Sequence, residues 1–446
     1  MVDFCRDELG VGWSSFLYIF PRLPISAGPL AKMQAYAFSA RKIMGLAIFR
    51  EDTIVDGENA EAIVEEIVNR RVQEQYLFTG GHYTDFYPRN LGTFSNKLLD
   101  PMAADNAADW LERVELILRS TEIALQVFSE YDEVTTTIVE LENGKYVPIN
   151  IYVASSDSLP SILRVLQQMR MIEEQSLRSG FSKEEEEKRR GVKQKTYELI
   201  EKYRDFLVKE VDRYVGEYVD EEGFIREDLK LSDIKDAWVR HSAFYDNVML
   251  WSVYHYAWQT GIKPEWQVQA IGMKQRLIEA YWDDDAGIFF DEKKEYVKEQ
   301  YFSADNLIAL EMGMLRAEDA EDRVYLQRIH DYIEEKNLAQ PFPLKTTEIR
   351  IPEREHLPVR IFAPNYIGTT IWSYWGMLYI DLLIKLGEEE KARAYFDSYT
   401  NKIEEYGGFP ELYFPDGRQY RLRFYRSVND MVWGIYYLYL GNTLKL

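Results

Sequence analysis

The sequence predicts an all-α fold, an (α/α)6 toroid of six helical hairpins with a small β-hairpin inserted. Three observations predict it. Apolar residues recur at helical spacing from end to end of the 446 residues. Past residue 57 a polar amphipathic helix, a long loop and a more apolar helix follow one another six times. The six apolar helices also open alike, with Asn, Asp or Ser beside an aromatic or apolar run. Hydrophobic residues make up 46% of the chain, enough to fill a large core.

Taken in order, residues 31–50 read as an extra helix within an N-terminal extension, 1–57. The amphipathic members fall at 58–77, 105–130, 183–218, 264–282, 319–335 and 388–405, each with one face for solvent. The apolar members start near 90, 157, 242, 303, 365 and 427 and would line the inside of the ring. Their opening residues read as N-caps, because short polar side chains accept from unpaired helix N–H groups. The loops before the apolar helices are long and the returns are short, so the long loops share one face. Residues 134–153 alternate from Val134 and carry Asn143-Gly144, which reads as a β-hairpin inserted in a loop. The run 183–190, KEEEEKRR, reads as a solvated helix face. No Pro/Gly/Ser-rich linker divides the chain, so the expectation is a single domain over 1–446.

Charge and composition exclude several functions. A net charge of −22 disfavours nucleic acid and anionic membrane as partners. The apolar patch 13–20 is too short to span a bilayer. One Cys, and acids in the first ten residues where a secretory signal carries Lys or Arg, point to a soluble, acidic, cytoplasmic protein. The five His are scattered and the carboxylates lie on different loops, so no metal and no cofactor is expected. Glycine-rich nucleotide loops and the G-x-S-x-G turn are absent. What remains is carboxylates and aromatic rings on one face of a ring. That set suits glycoside hydrolysis, where one carboxyl protonates the leaving oxygen and another activates water or attacks the sugar.

Several loop motifs carry a family resemblance. They are HYTDFYPRNLG (82–92), SSDSLPSIL (155–163), DAWVRHSAFYDN (236–247), APNYIGTTIW (363–372) and GGFPELYFPDG (407–417). With these the chain resembles the six-hairpin glycosidases: glucoamylases, trehalases, neutral invertases and the glucosidase part of debranching enzymes. The resemblance covers about residue 76 to the end. It implies a carbohydrate substrate and an inverting, exo-acting hydrolase of an α-glucoside or related oligosaccharide.

Residue by residue, the resemblance places the base at Glu411 and the acid at Asp236, whose Asp-x-x-x-Arg spacing to Arg240 is similar to that of trehalases. Asp85 is the rival acid. Tyr87, Arg89, Asn90 and Asp157 would hold the terminal sugar, with Trp238, Arg240, His241, Asn365 and Trp372 around it. The plainer readings stand beside these: Asp157 and Asp305 as helix caps, Trp238, Trp372 and Trp375 as core, and the arginines from Arg418 to Arg426 as local charge balance. Val239 stands where glucoamylases carry Glu, and Asn90 where the family carries Asp. Both favour the alternative of a degenerate, carbohydrate-binding member of the fold. A sugar isomerase or epimerase is the third reading, although such enzymes rely on His pairs. Oligomeric state is left open.

Overall fold

The structure is a computed structural model. It describes residues 54–71, 79, 85–100, 107–141, 144–151, 154–172, 183–231, 233–235, 238–296, 300–423 and 425–445, with Met33 and Ala37. Asp236 and, apart from Met33 and Ala37, the helix expected at 31–50 lie outside the described residues.

Six hairpins follow one another. The outer helices are Ala60–Arg71, Ala107–Tyr131, the pair Lys183–Lys202 and Arg204–Tyr218, Gln267–Tyr281, Ala320–Glu335 and Glu389–Tyr406. The inner ones are Pro88–Leu98, Ser158–Arg170, Phe244–Gln259, a short 3-10 turn Ala304–Leu307 running into Ile308–Glu311, Ser373–Leu386 and Gly434–Leu444. Each inner helix packs on the next in chain order, and the sixth packs on the first, so the ring closes. This is the predicted (α/α)6 toroid.

The sequence explains which helix faces where. From Phe244 to Ala257 the third inner helix buries all but one residue, and from Ser373 to Leu383 the fifth buries every one. Outer helices bury a stripe, as Leu326, Ile329, His330 and Ile333 do in Ala320–Glu335. Close approach needs small residues. A Cβ on Gly92 would sit 2.4 Å from the Cβ of Ser161, so the first two inner helices touch through backbone there. The main apolar cluster runs from Val55 to Leu444. Among the described residues no helix is long and apolar enough to cross a membrane.

The β-hairpin forms as predicted, Thr137–Glu140 antiparallel to Tyr146–Ile149, with Gly144 at φ +74° in the turn. Other boundaries differ. The expected helix 183–218 is interrupted at Tyr203. The fifth inner helix begins at Ser373 rather than near 365, because Ile371 and Trp372 first pair with Leu412 and Tyr413. The sixth begins at Gly434 rather than near 427. The chain before it instead accepts backbone bonds, from Phe409 N–H to Asn429 O (2.8 Å) and from Glu411 N–H to Val428 O (2.7 Å).

The capping expectation holds at Ser303, whose hydroxyl accepts from the N–H of Asp305. At the other five inner-helix starts it does not: Tyr87, Asp157, Ala243, Trp372 and Trp433 make no side-chain cap bond. Two of the shared Asn residues do a different job. Asn247 accepts from the N–H of Ile225, and Asn306 from that of Phe289. Each pins the loop of its own hairpin to the start of its inner helix, which is why those openings look alike in sequence.

Candidate active site

On the loop face a cleft of about 150 Å3 opens among the inner-helix starts. Glu411 supplies its carboxylate. The backbone around Glu411 is held from two sides: its N–H bonds to Val428 O, and its carbonyl accepts from Ser373 N–H at 3.1 Å. The residue is only 2% exposed. Its Oε1 accepts from the Tyr366 hydroxyl at 2.6 Å. Its Oε2 accepts from the Tyr425 hydroxyl at 3.3 Å and the Val428 N–H at 3.4 Å. A carboxylate fixed by donors in this way can take up a proton only on its free lone pairs, so its direction of action is set.

The walls are aromatic. Trp372, Trp433, Tyr374, Tyr366 and Tyr87 line the cleft. Trp372 lies 5.1 Å from Tyr366, edge to face, and 5.9 Å from Trp433. Its indole N–H donates to Tyr366 O at 3.0 Å, which fixes the ring. Rings held in this way present an apolar face beside polar edges. Opposite chemistry comes from the first inner helix, where Arg89 and Asn90 reach the cleft. Asn90 donates to the Thr79 hydroxyl at 2.7 Å. Arg89 pairs with Asp157 at 2.9 Å.

The sequence-predicted residues divide clearly. Tyr87, Arg89, Asn90, Trp372 and Glu411 line the cleft. Asp157 stands behind it: one oxygen holds Arg89 and accepts from the Tyr245 hydroxyl at 3.0 Å, and the other accepts from Ser155 at 2.9 Å. Its place is to orient Arg89 rather than to meet a ligand. Asp85 is buried and is not among the lining residues. Trp238 has no exposed surface and is bridged to Glu355, so it is core and not a sugar platform. Trp375 is core as well. His241 stacks on Tyr296 at 4.9 Å, and its backbone N–H donates to Glu292. Asn365 sits at φ +67°, and its side chain closes a turn on Thr369. Tyr366, the residue after it, is the one that reaches the carboxylate.

Arg240 also lies outside the cleft. It is buried in an ion cluster, with Asp233 at 2.6 Å, Asp291 at 3.1 Å and Asp305 in contact. Lys235 joins at 3.2 Å from Asp291 and 3.3 Å from Asp305. Burial works against the ionised form of Asp291. The Lys235, Arg240 and Arg354 cations outweigh it and hold the carboxyl well below its usual range. Asp246, at the start of the third inner helix, is pushed up to about 8 by burial and by the charge of Asp233. Ile234, in the same loop as Lys235 and Arg240, lines the cleft.

Sequence reasoning missed Tyr366, Tyr374, Trp433 and Ile234. Trp433 had a usable signal, since it ends the opening YRSVNDMVW of the sixth inner helix. Tyr374 and Ile234 had none, because apolar and aromatic residues are too common here to single one out.

No family model matches the sequence, and no curated protein matches it by sequence. Solved structures do share the fold. One is a family 63 glycoside hydrolase, the mannosylglycerate hydrolase of Thermus thermophilus, in complex with glucose. It superposes at TM-score 0.53 with 13% identity, over 85% of this chain and 98% of that one. The fold is that of the (α/α)6 glycosidases. A metal-independent α-mannosidase of Streptococcus pneumoniae, in a non-productive complex with α-1,6-mannobiose, gives TM-score 0.49 and 11% identity over 87% and 94% of the two chains.

Proposed function

We propose that this chain is a glycoside hydrolase acting at the loop-face cleft, inverting and exo-acting on an α-glucoside or a related oligosaccharide. Glu411 is the base and Asp236 the acid. The observation that carries the reading is the Glu411 carboxylate, buried at the cleft, held by two tyrosine hydroxyls, in a cleft that Arg89, Trp372 and Trp433 also line.

In the proposed reaction the Asp236 carboxylic acid gives its proton to the glycosidic oxygen as the bond from that oxygen to the anomeric carbon breaks. Water loses a proton to Glu411 and adds to the anomeric carbon from the opposite face. The products are the free sugar, inverted at that carbon, and the alcohol. Support for Asp236 is positional: Ile234, two residues before it, lines the cleft, and Lys235 and Arg240 on either side are anchored in the buried cluster. A cleft this small suits one terminal sugar, which supports an exo action. The single Cys supports a reducing, cytoplasmic setting.

The test is sugar release from a panel of α-linked disaccharides by wild type, Asp236→Asn and Glu411→Gln, with the first-formed anomer read by NMR. Each variant is expected to lose about 10²–10⁴-fold in kcat. Full activity in both variants overturns the assignment. Retained configuration in the product overturns the inverting mechanism. Binding without any turnover by wild type would favour the degenerate, sugar-binding reading that Asn90 and Val239 suggest.

A further inference from the structure

We propose that Ile151 and Ile234 form the leaving-group side of the cleft and select a glycoside of an apolar alcohol, alkyl or aryl, over one whose leaving group is a second sugar. The inference rests on the reading of Glu411 as the base of an inverting hydrolysis.

The order of the ring gives the direction. Inner helices pack in chain order and the sixth closes on the first, so the second and third loops lie across the mouth from the fifth and sixth. Glu411 is in the sixth loop, and Tyr366 and Trp372 belong to the fifth. Inversion brings water to the anomeric carbon from the side of the base and sends the leaving group away on the opposite side. The alcohol therefore departs toward the second and third loops. Among the described residues, the side chains that those two loops give the cleft are Ile151 and Ile234, both half-buried. Thr79, Arg89, Asn90 and Thr93, the polar groups of the first hairpin, lie elsewhere in the ring order.

Both isoleucines are built into place. Ile234 stands between two charged residues, and both turn into the buried cluster: Asp233 pairs with Arg240 at 2.6 Å, and Lys235 with Asp291 at 3.2 Å. The Asp233 carboxylate also accepts from the Lys235 N–H at 2.7 Å, which closes the turn around Ile234. The ion cluster thus keeps two charges out of the cleft and leaves an alkyl side chain at its wall. Ile151 follows the inserted β-hairpin, and its N–H donates to the Thr136 hydroxyl at 3.1 Å. Asn150, just before it, accepts from the Thr136 N–H at 3.1 Å and donates to Glu133 at 2.7 Å. The hairpin pairs in turn with the first loop, where Phe86 and Ile138 exchange backbone bonds of 3.1 and 2.9 Å. Phe86 directly precedes Tyr87 of the cleft, so the insertion holds Ile151 in register with that wall.

Alkyl walls discriminate by what they withhold. The hydroxyls of a second sugar would give up water there and find no partner in either isoleucine. An alkyl or aryl group gives up nothing and gains burial.

The experiment varies the alcohol while the sugar stays the same. Methyl and butyl α-glucosides, maltose and α-glucosyl fluoride are assayed with wild type, Ile151→Thr, Ile234→Thr, the double Thr variant and Ile234→Leu. Methanol and butanol leave with nearly equal ease, so the butyl-to-methyl ratio of kcat/KM reads contact with the chain, and it does not depend on how much variant is folded. Each methylene in contact is expected to add about 4-fold, so wild type should favour butyl by roughly 10-fold or more. The double Thr variant should fall to about 3-fold or less, each single Thr variant between, and Ile234→Leu should keep the wild-type ratio.

Wild type that hydrolyses the fluoride but turns over butyl glucoside no faster than the methyl one, or slower than maltose, overturns this inference alone. So does a double Thr variant with the wild-type ratio, or an Ile234→Leu variant that loses as much as Ile234→Thr. Wild type that acts on none of the four substrates overturns the reading of the cleft, and this inference with it.

Discussion

The ion cluster around Arg240 and the one around Glu311 use the same kinds of group at different levels of the ring. Around Glu311 the partners come from the inner helices themselves. Lys97, near the end of the first, pairs with Glu311 at 2.5 Å, and Arg164 of the second does so at 2.9 Å. The Tyr256 hydroxyl of the third donates to Met312 O, just past the fourth, at 2.7 Å. Tyr436 of the sixth donates to Asp381 of the fifth at 2.9 Å and lies 3.4 Å from Glu311. All six inner helices meet at this one network, so the axis of the toroid is closed by polar side chains. Around Arg240 the partners come from loops, and the cleft lies beside them. Burying charge costs solvation that pairing only partly returns, so neither cluster is explained by stability alone. The axial one fixes which helices are neighbours. The loop one fixes where loop atoms sit.

The largest expected effect tests that division directly. Glu311→Leu leaves Lys97 and Arg164 buried together without their counter-charge. The variant is expected to lose about 3–5 kcal/mol of stability, read by chemical denaturation, the usual cost of breaking a buried pair. Sugar release per folded molecule should stay near that of wild type. A Glu311→Leu protein of normal stability whose kcat collapses would mean that the axial cluster also serves the cleft.

The two levels were not equally legible. Helical periodicity shows the hairpins most plainly where the inner helix is apolar over most of its length, as the third, fifth and sixth are, against outer helices that are striped. Spacing puts the starts of the fifth and sixth inner helices too early. Their lead-in residues, such as Ile371, Trp372 and Val428, are committed to pairing across hairpins, which spacing cannot show. At the cleft, Glu411 and Arg89 stood out because their motifs are local. The sequence puts Arg240 beside the ligand because its neighbours are an acid, a Trp and a His. Two of its three carboxylate partners, Asp291 and Asp305, lie 51 and 65 residues away. Asp157 looked like a cap for the same reason, while Arg89, 68 residues earlier, takes its carboxylate.

A second contrast between the clusters lies in their response to pH. In the loop cluster Asp246 is pushed up to about 8 by burial and by Asp233, with Arg240 and Lys230 pulling the other way and Ser156 hydrogen-bonded to it. In the axial cluster Lys97 is brought down to about 8 by burial and Arg164, against the pull of Glu311 and Asp381. The signs follow from proton counting. Between the ordinary Asp value and about 8 the folded protein keeps a proton on Asp246 that the unfolded chain has released, so stability falls as pH rises. Between about 8 and the ordinary Lys value the unfolded chain holds a proton that folded Lys97 has lost, so stability rises with pH. Each contribution is at most about 1.4 kcal/mol per pH unit. Denaturation midpoints from pH 5 to 10 should therefore lose their fall below pH 8 in Asp246→Asn and their rise above it in Lys97→Met. Curves that keep both limbs in both variants would show that other groups set the profile.

The smallest expected effect concerns the two hydroxyls on Glu411, only one of which belongs to the loop tied to the Arg240 cluster. Tyr366 follows Asn365, whose N–H is held by Glu355, and its bond to Oε1 is 2.6 Å. Tyr425 approaches Oε2 at 3.3 Å from the segment before the sixth inner helix. A short bond to a charged acceptor contributes about 1.5–3 kcal/mol, a longer one nearer 1 kcal/mol or less. Tyr366→Phe should therefore lower kcat/KM on the proposed substrate by roughly 10- to 100-fold, and Tyr425→Phe by about five-fold. The order matters more than the size. If Tyr425→Phe costs more than Tyr366→Phe, the base takes its orientation from the sixth hairpin, and the link from the Arg240 cluster through Glu355 to Glu411 carries no catalytic weight.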